Sequence, residues 1–388
     1  MRLTTLAISN YRSLREVVVP LESLNVITGA NGTGKSNIYR ALRLLADVAQ
    51  GRVVASIARE GGLQSTLWAG PETIARSVRR GDFPVQGTVR TEPVNLKLGF
   101  ASDEYGYAID LGLPKPGASA FSLDPQIKRE CIWHGAQMRP STLLVDRDGP
   151  LVRIRSGDNS WKAVTSSLVA FDSMMTHVSD PQNAPEMLML REMIRGWRFY
   201  DHFRTDTDSP VRAPQIATWT PILGNEGCDL AAAMQTIIEL GDGDILQAAV
   251  QDAFPGNRVL IDADDARLEM KLQQHGLLRP LSTAELSDGT LRYLLWIAAL
   301  LTPRPPSLMV LNEPETSLHP DLLAALARLI AKAAEQTQIV VVTHAARLID
   351  SLKEQPLCHP IQLEKTFGET TIVGLKQIST PTWKWPSR

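Results

Sequence analysis

Residues Gly29-Ala30-Asn31-Gly32-Thr33-Gly34-Lys35-Ser36 satisfy the G-x-x-x-x-G-K-[ST] phosphate-loop pattern at every required position. That pattern needs a strand before it and a helix after it. The flanks supply both: residues 24–27 form an apolar run of buried-strand length, and Ile38, Ala41, Leu42 and Leu45 mark one helical face. Gly29, Gly32 and Gly34 let the backbone approach phosphate oxygens, and the new helix turns its free N–H groups toward their charge. On this reading Asn31, Gly32, Thr33, Gly34, Lys35, Ser36 and Asn37 line the site of a nucleoside triphosphate. Lys35 is the point charge on the β- and γ-phosphates. Ser36 offers a hydroxyl to Mg²⁺, a hard cation that takes oxygen donors.

A chain of 388 residues with 44 % hydrophobic content has room for two to three domains and a large core. Its formal charge of −2 makes no global case for nucleic acid, so DNA binding needs a local patch. Arg76, Arg79 and Arg80 are the best candidates for one, and are otherwise ordinary exposed arginines. Cys131, Cys228 and Cys358 stand far apart without a C-x-x-C pairing, which indicates neither a disulfide framework nor a zinc site. With no signal-peptide core and no apolar run near the ~20 residues of a membrane span, a soluble, cytoplasmic protein is expected.

Residues 3–9 and 17–19 read as a hairpin around Asn10-Tyr11-Arg12-Ser13, which makes Tyr11 and Arg12 candidates to lie near the nucleotide. Gln64, after the Glu60-Gly61-Gly62 turn, is a candidate ligand for Mg²⁺ and water. Alternating runs across residues 86–164, with a turn at Arg147-Asp148-Gly149, predict an antiparallel lobe. Helical periodicity then takes over, clearest in Leu230, Met234, Ile237 and Ile238 with Asp229 or a neighbour as cap. Asp201, His202, Arg204, Asp206 and Asp208 cluster in a loop but match no metal-ligand template. The division expected is 1–85 and 265–388 as two parts of one nucleotide-binding core, with 86–164 as the β lobe and 165–264 as a helical insertion. No sustained heptads are present, so no coiled-coil arm is expected.

Three further motifs follow in residues 286–344. Leu286-Ser287-Asp288-Gly289-Thr290 opens a helix with an apolar face at Leu291, Leu294, Leu295 and Ala298, and Ser287 with the Gly289 amide forms a second anion site. The apolar residues 308–311 end in Asn312-Glu313-Pro314-Glu315, which puts Glu313 at the carboxyl end of a strand, where it can orient or deprotonate water. Residues 339–342 form another buried strand ending in Thr343-His344, and Pro320 begins the helix between the two.

At these residues the chain resembles the ABC-type ATPase heads of the RecF, SMC and OLD families. It is most similar to compact stand-alone bacterial ATPases of the AAA family, whose Asn-Glu-Pro-Glu-Thr-Ser-Leu-His-Pro stretch looks like residues 312–320. The resemblance implies an α/β fold: an ABC-type P-loop ATPase head with a mixed sheet, an antiparallel β lobe and a helical insertion. It implies that Ser287 and Gly289 contact the γ-phosphate of a partner's nucleotide, making a homodimer around sandwiched ATP. Glu313 would then be the general base, His344 the γ-phosphate sensor, and 317–319 the loop touching the partner.

Two departures stand out. Asn312 replaces the aspartate that holds the Mg²⁺ shell, and Asp288 replaces a signature glycine, placing an acid near an incoming phosphate unless it caps the helix. Residues 351–388 are too few for the nuclease domain of OLD proteins, so none is expected. The function implied is Mg·ATP hydrolysis by a dimerising switch in DNA repair or anti-phage defence, with DNA or a protein as effector. The alternative is a slow ATPase gating a toxin or nuclease partner. A membrane-transporter subunit is disfavoured by the RecF-like opening and the long insertion.

Overall fold

The computed structural model describes residues 1–70, 95–115, 117, 119–374 and 381–387, so the Arg76, Arg79 and Arg80 patch lies outside the described residues. In chain order, β1 (Leu3–Tyr11), β2 (Leu14–Pro20) and β3 (Leu24–Gly29) lead to α1 (Lys35–Ala49), α2 (Val53–Arg59) and α3 (Leu63–Thr66). Six strands follow: β4 (Leu96–Ser102), β5 (Tyr105–Gly112), β6 (Gln126–His134), β7 (Leu143–Asp148), β8 (Leu151–Arg155) and β9 (Trp161–Thr165). Next come α4 (Met174–His177), α5 (Pro185–Arg195), β10 (Arg198–Tyr200), β11 (Gln215–Ile216), α6 (Leu230–Leu240), α7 (Gly243–Ala253), β12 (Arg258–Asp264), β13 (Arg267–Gln273) and β14 (Leu281–Ser282). The chain closes with α8 (Asp288–Leu300), β15 (Leu308–Asn312), α9 (Leu323–Ala334), β16 (Gln338–Val342), α10 (Ala346–Lys353), β17 (Cys358–Thr366) and β18 (Glu369–Ile372).

These elements group into two compact units. The first comprises Met1–Leu21, Gly29–Trp197 and Ile361–Arg388. Its frame is an eight-stranded sheet in the order β2-β1-β4-β5-β6-β7-β8-β9, antiparallel throughout. The expected hairpin at the amino terminus pairs Thr5 with Pro20 and Tyr11 with Leu14. The expected turn at Arg147 moves on to Gly149-Pro150, because β7 continues to Asp148 before Gly149 turns at φ +55°. A fully buried ion pair, Arg147 with Glu130 at 2.7 Å, sits in this sheet. Glu130 also accepts from Tyr107, Ser173 and the Met174 amide, so the cost of burying charge is offset by a complete set of partners. The same cluster fastens the turn into α4 against the strands.

The second unit comprises Glu22–Thr28 and Arg198–Pro360. Within it, β10, β15, β16 and β3 lie parallel in that order, with Asn312 opposite Val342 and Val342 opposite Ile27. Strands covered on both faces need unbroken apolar runs, which residues 308–311 and 339–342 provide. Helix α8 is buried on every side from Leu291 to Leu300 and shares its core with Leu24, Leu311, Leu326 and Ile339. At about 1.5–3 kcal/mol for each large apolar side chain, this helix is a main source of the unit's stability. Residues 165–264, expected as a helical insertion, hold α4 to α7 but also give β10 to the parallel sheet, and β11 and β12 to an antiparallel one with β13. Three residues of β10 are too few to reveal a strand by periodicity. Pro320 opens a 3-10 turn that runs into α9, whose buried face includes Leu326, Leu329, Ile330 and Ala333.

Candidate functional site

In the first unit the phosphate loop leads straight into α1, with Gly34 at the N-cap position. Gly34 has φ +105°, and a Cβ there would strike the Thr370 hydroxyl and lie 2.9 Å from Ser13 Oγ. Gly29 is equally constrained, since a Cβ would lie 2.6 Å from the Leu363 carbonyl oxygen. Lys35 is buried, and its Nζ donates to the carbonyls of Gly29 at 2.7 Å and Ala30 at 3.0 Å. Thr370 Oγ1 donates to the Thr33 carbonyl at 2.7 Å and pairs with Ser13 Oγ at 2.7 Å, and Asn37 Nδ2 donates to that same Ser13 Oγ at 2.9 Å. Asn31, Gly32 and Ser36 are exposed on the loop. Ser13 and Thr370 went unread as partners of the motif because 357 residues separate them.

Tyr11 and Arg12, candidates for the neighbourhood of the nucleotide, both bond Glu60. Tyr11 OH donates to its carboxylate at 2.7 Å, and Arg12 Nη2 does so at 2.7 Å. Burial, then the bond to Glu60, push the Tyr11 hydroxyl well above its ordinary pKa. For Arg12, burial pulls down, but the bonds to Glu60 and Tyr11 outweigh it and raise the pKa. Arg12 has φ +50°, and its N–H donates to the Thr66 carbonyl at 2.7 Å. Gln64 is exposed on α3, beside that contact in sequence.

In the second unit, Asn312 and Glu313 leave β15 next to Thr343 and His344 leaving β16. Glu313 takes a left-handed conformation, φ +49°, and its N–H donates to the Val342 carbonyl at 2.8 Å. A non-glycine residue held there costs about 1–3 kcal/mol and persists only where the surrounding structure imposes it. Glu313 Oε1 lies 3.6 Å from His344 Nδ1, with both side chains about half exposed. Glu315, by contrast, is buried under this turn and accepts from Thr343 Oγ1 at 2.7 Å.

Ser287 is the N-cap of α8, its hydroxyl accepting from the Thr290 amide at 3.2 Å. Asp288 therefore neither caps the helix nor stands as a free acid at its end. Its Oδ1 pairs with Arg212 Nη2 at 2.7 Å, which neutralises the charge introduced by the departure from glycine. Arg212 also donates to the carbonyls of Thr283 at 2.8 Å, Leu286 at 2.9 Å and Thr205 at 2.9 Å, binding the turn before α8 to the loop after β10. Gly289 lies against the next loop, since a Cβ there would be a tight 3.0 Å from the Ser317 carbonyl oxygen, where Ser317 itself has φ +63°. Arg292, lowered in pKa by burial yet still charged, donates to the carbonyls of Thr316 at 3.0 Å and Phe203 at 2.9 Å. Trp296 Nε1 donates to the Pro314 carbonyl at 3.1 Å.

The polar loop read from Asp201 to Asp208 is thus part of the mount for α8, with Arg204 paired to Asp206 at 2.7 Å. Among the described residues, no group of three or more His, Cys, Asp and Glu side chains is placed to hold a metal. A phosphate-bound Mg²⁺ asks less of the protein and takes hard oxygen donors; the Ser36 hydroxyl and Gln64 amide oxygen in the first unit, and Asn312 Oδ1 in the second, are each of that kind. Asn312 Oδ1 is buried without a hydrogen-bond partner among the described residues, which suits an acceptor reserved for a ligand. Arg212, Arg292 and Glu315 were missed by motif reading, because an arginine or glutamate carries no local sign of a carbonyl or amide partner far along the chain.

Among the described residues, no helix is long and apolar enough to cross a membrane. No curated protein matches the chain. Of solved structures, an Smc head bound to the C-winged helix domain of ScpA aligns with a TM-score of 0.50 at 14 % identity, over 97 % of this chain and 98 % of that one. The SMC head domain from Thermotoga maritima gives 0.47 at 15 % identity, over 97 % and 100 %. An Smc head with an extended coiled coil, bound to the C-terminal domain of ScpA derived from Pyrococcus furiosus, gives 0.48 at 13 %, over 96 % of each chain. Residues 24–350, well over half of the chain, match the family described as "AAA domain, putative AbiEii toxin, Type IV TA system". The chain belongs to that AAA family and has the fold of an ABC-type P-loop ATPase head.

Proposed function

We propose that this chain is a cytoplasmic ATPase working as an ATP-dependent dimerising switch. The observation that carries the proposal is the strained Glu313, 3.6 Å from His344, at the carboxyl ends of parallel strands next to the strand that runs into the phosphate loop. Lys35 exchanges the carbonyls of Gly29 and Ala30 for β- and γ-phosphate oxygens. Ser36, Gln64 and Asn312 would hold Mg²⁺, which supplies charge neutralisation across the β- and γ-phosphates when bound. Glu313 takes the proton of the attacking water, and His344 donates a hydrogen bond to the γ-phosphate. Ser287 and the Gly289 amide, at an N-terminus that Arg212 relieves of the Asp288 charge, receive the γ-phosphate of a nucleotide held by a second copy. With hydrolysis blocked, the closed dimer should persist. Light scattering of Glu313→Gln with Mg·ATP tests this: an ATP-dependent doubling of mass is expected, and a variant that binds ATP yet stays monomeric contradicts it.

A second reading is favoured by Asn312, whose neutral amide stands where a carboxylate would strengthen the metal shell. A slow ATPase of this kind would serve as a timer gating a toxin or nuclease partner, in keeping with the toxin–antitoxin system named in the family description. In the first reading the effector driven by opening and closing is DNA or another protein. Pull-down of the resting chain with and without ATP separates the two, since a gated partner is held in one nucleotide state and released in the other.

A further inference from the structure

Glu315 stands two residues beyond Glu313, and its side chain is only 8 % exposed. Oε1 accepts from the Thr343 hydroxyl at 2.7 Å, from the His344 amide at 3.2 Å and from the Ala345 amide at 3.3 Å. His344 Nδ1 is 3.5 Å from the same oxygen. One carboxylate oxygen therefore gathers the residues that leave β16 and carry the imidazole. The chain on either side of Glu315 is fixed in turn to helix α8, through Trp296 to the Pro314 carbonyl and Arg292 to the Thr316 carbonyl. Its other oxygen, Oε2, is buried without a hydrogen-bond partner among the described residues. A buried carboxylate with one oxygen unsatisfied is costly, and a neutral side chain of the same size would fill the space more cheaply if packing were its whole purpose.

We propose that Glu315 is a positioning residue that holds the His344 turn, and with it the imidazole, beside Glu313, and that ties this turn to helix α8. The proposal rests on the ATPase reading above for its effect on turnover, but not for the clasp itself. The Thr343 bond, at 2.7 Å, has the length of a charge-assisted contact, and together with the two longer amide bonds it fixes the turn that carries His344. When Ser287 and Gly289 at the start of α8 engage a phosphate, a displacement of the helix reaches His344 through Pro314, Glu315 and Thr316.

The test uses the full-length wild type, Glu315→Gln, Thr343→Val, His344→Ala and the double variant Glu315→Gln/His344→Ala. Hydrogen exchange in peptides covering residues 343–345 should speed up about tenfold or more in Glu315→Gln, and less in Thr343→Val, which removes only the hydroxyl donor. Exchange equal to wild type in both variants overturns the clasp. In steady-state ATPase assays kcat of Glu315→Gln should fall about 10- to 100-fold, with KM for ATP within about twofold. The double variant should be no slower than His344→Ala alone, because Glu315 acts through His344. An unchanged kcat, a loss carried by KM, or multiplicative losses in the double variant overturn the positioning role. A wild-type chain without turnover would remove the ATPase reading, while the exchange result still decides the clasp. If Glu315→Gln fails to fold, Thr343→Val carries both readouts, and wild-type exchange and kcat there overturn the proposal.

Discussion

The phosphate loop and the start of helix α8, the two proposed anion sites, both open a helix, yet they are built by opposite means. The loop's motif supplies its own turn and its own charge, and the braces it takes from elsewhere in the chain are neutral. Glycines at φ +105° and +151° permit the turn, Lys35 folds onto the loop's own carbonyls, and Thr370 and Ser13 brace it with neutral hydroxyls. At α8 only Ser287 and Gly289 belong to the motif. The remainder is guanidinium chemistry from outside it, with Arg212 tying down Asp288 and the preceding turn while Arg292 holds the loop after β15. The loop is thus held by neutral hydroxyl and carbonyl contacts, and the start of α8 by charged guanidinium bonds.

That contrast predicts an ordered set of effects. The largest is expected at the loop, where Lys35→Ala should weaken ATP binding by about 100-fold or more, since a charge-assisted phosphate contact in a low-dielectric site is lost. Gly34→Ala should do comparable damage through the collision with Thr370, and isothermal titration reads both. Arg212→Ala should leave ATP affinity within about twofold but cost about 2–3 kcal/mol in stability, because it strips a buried guanidinium from several carbonyls and Asp288. Denaturant melts together with nucleotide titration check that split, and a matching loss of affinity would erase the difference between the two sites. Asn312→Asp should lower the Mg²⁺ midpoint of turnover several-fold by adding the missing charge. Equal midpoints would mean that the charge is already supplied elsewhere. The smallest effect is expected for Thr370→Val, about 1 kcal/mol by thermal melt, from the hydroxyl bond to Thr33.

The same contrast governs how far the chain could be read. The loop, the α1 face, the β lobe and the two buried strands β15 and β16 follow local patterns, glycine spacing and apolar periodicity, and each was visible in the residues. Strand β10 was not, because three residues carry no period. The turn after β7 moved by two residues, because strand pairing outweighed the turn signal of Arg147-Asp148. Asp229 takes the expected N-cap position of α6, but its carboxylate accepts from the Gly224 amide and not from the helix. At the candidate site the motif residues were legible and their supports were not. Glu315, Arg212 and Arg292 act on partners up to 89 residues away, and composition does not record such pairings.

The central claim is that one working site needs a loop from one chain and an α8 N-terminus from another. Two inactive variants test it most directly. Lys35→Ala lacks the loop, Ser287→Arg blocks the α8 end, and a mixed dimer contains one site in which both halves are intact. The account predicts no ATPase activity from either variant alone and recovery of about a quarter of wild-type activity on mixing equal amounts. No recovery in a mixture shown by light scattering to contain mixed dimers would contradict it.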